Sequence, residues 1–139
     1  MALSSNALCA KAKAMYGYRI GEEGYSDLCR KQSLSEMVTY LKSQTKYSGV
    51  LEDINVRNVH RRQVEAALNK EYFERCARLM KYAPKKNQDF YSQEVIGIEV
   101  QLIVDKVVSI KEKDQASFSL EIPDYLASKM SFNIYGLIN

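Results

Sequence analysis

The side chains best suited to chemistry are few in this 139-residue sequence, and they stand apart: one histidine, His60, and three cysteines, Cys9, Cys29 and Cys76. Nucleophilic catalysis needs a nucleophile, a base and usually an orienting group, so His60 would have to serve any Ser-His or Cys-His scheme. It stands in the run HRRQ beside Arg61 and Arg62, at the margin of an apolar helical stripe, where a surface or boundary role accounts for it. The cysteines are odd in number, widely spaced and without a C-x-x-C pair. With a single histidine to help, neither a disulfide framework nor a zinc site is indicated. Each cysteine falls on or near an apolar stripe, where it acts as a small hydrophobe, and a reducing cytoplasm suits all three.

Other groups fare no better as sites. Gly17, Gly21 and Gly24 are not followed by Lys-Ser or Lys-Thr and no strand precedes them, so they make neither a Walker loop nor a dinucleotide fingerprint. Glu22 and Glu23 sit where a helix begins, and its positive end explains paired acids without a general acid/base dyad. Lys11, Lys13 and Arg19 with Tyr16, Tyr18 and Tyr25 resemble a basic, base-stacking surface, yet Tyr16 and Tyr25 are expected on packed helix faces. HRRQ and PKK read as solvated helix ends. Twenty Lys plus Arg against seventeen Asp plus Glu leave a formal charge of +3, too small to announce a polyanionic partner. The sequence thus assigns no catalytic, cofactor-binding or metal-ligating residue, implies no cofactor, and identifies no partner-contacting residue.

What must be positioned is therefore a packed scaffold. Hydrophobic residues form 46% of the chain and charged residues 27%, which specifies a core rather than disorder. The amino terminus lacks the apolar core of a secretory signal, and no run approaches the ~18 apolar residues of a membrane span. Leu8, Ala12, Met15 and Tyr16 recur at helical spacing and predict a first helix ending near Gly17. A second follows from Glu22, with Tyr25, Leu28 and Cys29 inward and Gly21 and Gly24 as boundaries. Ser33 and Glu36 form a capping box that opens a third, whose buried stripe is Leu34, Met37, Val38 and Leu41. TKYSGVLED makes a short turn or helix with Tyr47, Val50 and Leu51 on one side.

From Asn58 to Ala83 the line Val64, Leu68, Tyr72, Cys76, Leu79/Met80 and Ala83 keeps helical period until Pro84 stops it. The run from Val95 to Val104 alternates as a strand does, but Ile96, Val100, Ile103, Val107 and Ile110 also make a helical line, and a helix enclosed by neighbours is the expectation. KEKDQAS is a polar break. A short extended piece, Pro123 at a helix start and an apolar end at Ile134, Tyr135, Leu137 and Ile138 complete the chain. The fold class is all-α, a bundle of about five helices over 1–115, with 116–139 beginning a second helical repeat or docking on the first bundle.

The order of these elements carries a resemblance. ALCAKAKAMYGYRI leads to EEGYSDLCRKQSLSEMVTYLKSQTKYSGVL, with Tyr25 and Leu28 after the first helix, and then to two longer helices and a segment ending at Pro123. This resembles the amino-terminal part of the rotary V-type ATPase subunit called C in archaeal-type enzymes and d in eukaryotes. In IEVQLIVDKVVSIKEK the sequence departs from the family, which commonly reads Asn-Leu-Lys there; Glu99 and Gln101 occupy that neighbourhood, so no function is carried through that motif.

The resemblance implies an all-helical subunit of repeated bundles, of which this chain would be the first plus the start of the next in a longer polypeptide. It implies a non-catalytic coupling subunit of a V-type ATPase or ATP synthase, transmitting torque between the central rotor stalk and the membrane proteolipid ring during ATP-linked proton or sodium ion transport. The expected partners are central-stalk subunits and the proteolipid ring. The expected location is the cytoplasmic side of a membrane, peripheral and not inserted. The alternative, from a different class, is a small helical nucleic-acid-binding or protein-interaction module using Lys11, Lys13, Arg19, Arg61 and Arg62.

Overall fold

The computed structural model describes residues 2–111, 122–133 and 136, and every regular element among them is helical. These are α1 (Ala2–Tyr16), α2 (Glu22–Cys29), α3 (Leu34–Gln44), α4 (Arg61–Tyr82), α5 (Gln88–Lys111) and α6 (Asp124–Ala127), with 3-10 turns at Val56–Asn58 and Lys85–Asn87. The polar break Lys111–Ser117, the extended piece before Ile122 and the apolar end at Ile134, Tyr135, Leu137 and Ile138 lie wholly or largely outside the described residues.

Local chemistry sets most boundaries. The Glu36 N–H donates to Ser33 Oγ at 3.2 Å, opening α3 as the sequence predicts, but the Glu36 carboxylate accepts from the Gln32 N–H at 3.0 Å rather than from Ser33. The reciprocal half of the capping box is thus displaced by one residue. At α4 the Gln63 side chain accepts from the His60 N–H at 3.1 Å, making His60 the residue before a helix that begins at Arg61, three positions later than the start expected at Asn58. Glu and Arg four apart then brace α4, with Arg61–Glu65 at 2.7 Å and Arg75–Glu71 at 2.6 Å. Ala83 is extended, as a residue before proline must be, and α4 stops at Tyr82.

Between α3 and α4 the chain folds back over α3. Lys42 Nζ donates to the carbonyls of Glu52 and Ile54 at 3.1 and 2.7 Å, and Ser35 Oγ donates to the Val56 carbonyl at 2.8 Å. This sinks Leu51 completely, with Tyr47 and Val50 beside it, on the side the sequence indicated.

Among the described residues the interior is two cores rather than one. Val38, Leu41, Leu51 and Val64 form the first, with Ile20, Leu28, Leu34 and Leu68 against them. Phe73, Ala77, Met80, Val95, Ile98, Leu102 and Leu126 form the second. α4 serves both, but with opposite faces: Val64 and Phe73 are nine residues apart, which at 3.6 residues per turn is two and a half turns. This corrects the single apolar line drawn along α4. Tyr72 on that line is 45% exposed, while Phe73 and Ala77, off it, are buried.

Two further faces differ from expectation. Residues 95–104 are helical, but Ile96, Val100, Ile103, Val107 and Ile110 face outward, and the core side of α5 is Val95, Ile98 and Leu102. With apolar residues on both sides, period alone does not choose between them. In the eight-residue α2 no residue is fully buried; Leu28 packs inward while Tyr25 and Cys29 are exposed. Gly24 lies inside α2 rather than at its boundary. A Cβ there would come within 2.6 Å of Ile20 Cγ2, so the glycine lets the chain after α1 press against the helix.

Candidate functional site

The side chains considered for chemistry are dispersed by the fold. His60 precedes α4 on the surface, Cys9 and Cys29 are exposed on α1 and α2, and only Cys76, half-buried on α4, plays the small hydrophobe expected of all three. Exposure corrects the expectation that Tyr16 and Tyr25 pack, since both remain largely open to solvent. Their neighbourhood is nevertheless engaged: the Arg19 guanidinium lies 3.8 Å from the Tyr16 ring centroid and the Lys46 ammonium 4.3 Å from that of Tyr18. One face of each ring is thereby covered by a cation. Glu22 and Glu23 stand in the first turn of α2, where the helix dipole favours them. Among the described residues, no group of three or more His, Cys, Asp and Glu side chains is gathered as a metal would need.

A concavity lies beside the first core. A half-open cavity of about 420 Å³ runs between α2, α3 and α4, with Leu28, Met37, Leu41 and Leu68 among its apolar walls. Its polar edge is Glu71 and Arg75, whose ion pair is about four-fifths buried, with the Arg75 guanidinium 5.2 Å from the Tyr47 ring. Arg78 adds a second cation to Glu71 at 3.4 Å. The charges at this edge therefore satisfy one another, and what the cavity offers to a partner is shape and apolar surface.

A second cluster joins α4 to α5. The Tyr72 hydroxyl donates to Glu94 Oε1, and Cys76 sits one turn along α4 from the same tyrosine. Partial burial, together with the Glu94 carboxylate, pushes the Tyr72 phenol up from its ordinary value; burial and the same carboxylate push up the Cys76 thiol. Both groups are held protonated at neutral pH, the reverse of what a nucleophile or thiolate site requires. The pair is a structural link between helices.

A third contact fastens the segment after α5. Glu99, buried on α5, accepts from the Ser131 N–H and from Ser131 Oγ, the latter at 3.1 Å. Leu126 of α6 is fully buried in the second core, with Ile122, Met130 and Phe132 around it. Sequence reasoning noticed Glu99 only as a departure from a family motif. Its signal was a lone acid inside an otherwise apolar helical run, which is costly to bury without a partner.

These geometries define a class: an all-helical packing module whose polar groups brace helices and whose half-open cavity is walled mainly by apolar side chains. The chain belongs to the ATP synthase (C/AC39) subunit family, whose family model matches residues 8–137. It is thus a V-type ATP synthase subunit of the C/d kind, as the sequence resemblance indicated. No curated protein and no solved structure is significantly similar to it. Among the described residues, no helix is long and apolar enough to cross a membrane.

Proposed function

We propose that this chain is a non-catalytic coupling subunit, linking the central rotor stalk of a V-type ATPase or ATP synthase to the membrane proteolipid ring and transmitting torque between them. The observation that carries the reading is the family membership across residues 8–137. The helical architecture supports it. A torque-bearing part must resist bending, and close-packed helices store little slack. α4, 22 residues long, runs through both cores and is gripped on opposite faces, so displacement of one core is passed to the other through a single element. The partners are central-stalk subunits and the proteolipid ring, and the subunit sits peripherally on the cytoplasmic side of the membrane.

Membrane vesicles lacking the protein test this reading. Loss of ATP-driven proton or sodium uptake, with residual ATP hydrolysis and restoration on adding the protein back, is the expected outcome. Unchanged ion uptake without the protein would overturn the coupling role.

A further inference from the structure

Five lysines gather at the carboxyl-terminal end of α4. Lys11 comes from α1, Lys81 from the last turn of α4, Lys85 and Lys86 from the 3-10 turn that follows, and Lys129 from the segment after α6. Two tyrosines hold three of them in place. The Lys81 and Lys129 ammoniums lie 5.4 and 5.8 Å from the centroid of the one Tyr125 ring, and the Lys11 ammonium lies 5.8 Å from that of Tyr82, the neighbour of Lys81. Lys11 is half-buried and the other four are exposed. Among the described residues none of the five is ion-paired. The helix dipole accounts for Lys81 at the end of α4, but not for lysines arriving from three other places. Only two acids stand beside them: Asp89 in the first turn of α5 and Asp124 next to Tyr125. This end of the chain is therefore distinctly positive.

A pocket of about 180 Å³ opens among these lysines. Met80, Ala83, Tyr91 and Val95 supply apolar walls, and Lys129 and Asp89 also line it. The turn carrying Lys85 and Lys86 runs between Ala83 and Asp89, so basic side chains stand on both sides of an apolar hollow.

We propose that this surface docks an acidic segment of a partner protein, which sets carboxylates on the lysines and one apolar side chain in the pocket. Charge complementarity selects an anionic partner, and the pocket selects a protein among anionic partners. A nucleic acid has no apolar side chain to fill it, and the hollow holds one side chain but not a lipid acyl chain. The cations are also all lysines, whereas bidentate phosphate recognition favours arginine. Ammoniums already held against tyrosine rings lose less freedom when a carboxylate arrives. The coupling role names partners but no contact surface on this chain; the proposal supplies one and does not rest on that role.

The test is fluorescence anisotropy of a labelled short peptide, glutamates around one central phenylalanine, titrated with the 139-residue chain at low ionic strength. Saturable one-to-one binding is expected, with a Kd on the order of 100 μM from a few exposed ion pairs and one buried side chain. Added salt should weaken it several-fold. Lys81→Glu with Lys129→Glu should weaken it at least about tenfold with unchanged helicity, since both residues are exposed. Lys85→Glu with Lys86→Glu, in the turn, repeats the test if the first pair folds poorly. Lys46→Glu, exposed beside Tyr18, should leave binding within about twofold. Alanine in place of the peptide's phenylalanine should weaken binding at least about fivefold without touching the protein. No binding at low salt, binding indifferent to both lysine pairs, or equal binding of the phenylalanine and alanine peptides would overturn the proposal. Tighter binding to phosphatidylserine vesicles or to a single-stranded oligonucleotide than to the peptide would also overturn it and give the surface to that partner instead.

Discussion

The two cores on α4 are built differently. The first, of Val38, Leu41, Leu51 and Val64, gathers residues from one stretch of chain and leaves a cavity of about 420 Å³ at its side. The second draws Phe73, Ala77 and Met80 from α4, three residues from α5, and Leu126 from beyond the undescribed stretch, and it is tied by the Glu99–Ser131 contact. Local construction needs little loop closure but leaves a looser shell; remote construction costs more chain entropy and is held by more buried side chains. Under the proposed coupling role, the second core would be the firmer grip and the first the looser one.

That contrast can be broken by substitution. Phe73→Ala removes a large ring from the buried second core, and should cost about 3–5 kcal/mol in chemical denaturation. Leu41→Ala, beside the cavity, should fall at the low end of its class, about 2–3 kcal/mol. Equal losses from the two would remove the distinction. Glu99→Ala should cost about 1–3 kcal/mol by leaving the Ser131 N–H without its acceptor. Hydrogen exchange should show protection falling around residues 124–131 while α3 keeps its own. Ser33→Ala, at the start of α3, should cost about 1 kcal/mol and loosen the first core alone.

The smallest effects concern titration at the α4–α5 link. Tyr72 and Cys76 bind their protons more tightly in the folded chain than at their ordinary values of 10.0 and 9.0. The folded state therefore retains protons that the unfolded chain releases once pH passes about 9, so stability is whole below that pH and declines as pH rises further. Urea midpoints against pH should show this decline, and Tyr72→Phe should lessen it. At neutral pH, Cys76 should react with a thiol reagent more slowly than Cys9 and Cys29, which are exposed.

Much of this architecture was legible in the sequence, and the failures share one cause. Helix identity followed from capping, breakers and periodicity, including the choice of helix over strand for residues 95–104, and the family followed from the order of elements. Which face each helix buries was less accessible. α4 reverses its buried face at mid-length, and a line continued from Val64 through Leu68 reaches Tyr72 instead of Phe73. α5 is apolar on two sides, so the stripe from Ile96 to Ile110 looked like a core and is a surface. Tyr16, Tyr25, Cys9 and Cys29 were assigned inward on helices too short or too lightly packed to bury them. Burial is a property of neighbours, and one helix's period does not report where its neighbours lie.

The coupling role itself is tested most directly by the company the protein keeps. Complexes captured from native membranes through a tag on this chain, analysed by mass spectrometry, should contain central-stalk and proteolipid subunits in fixed proportion to it. Recovery of the chain without either, from membranes in which the ATPase is assembled and active, would contradict the account.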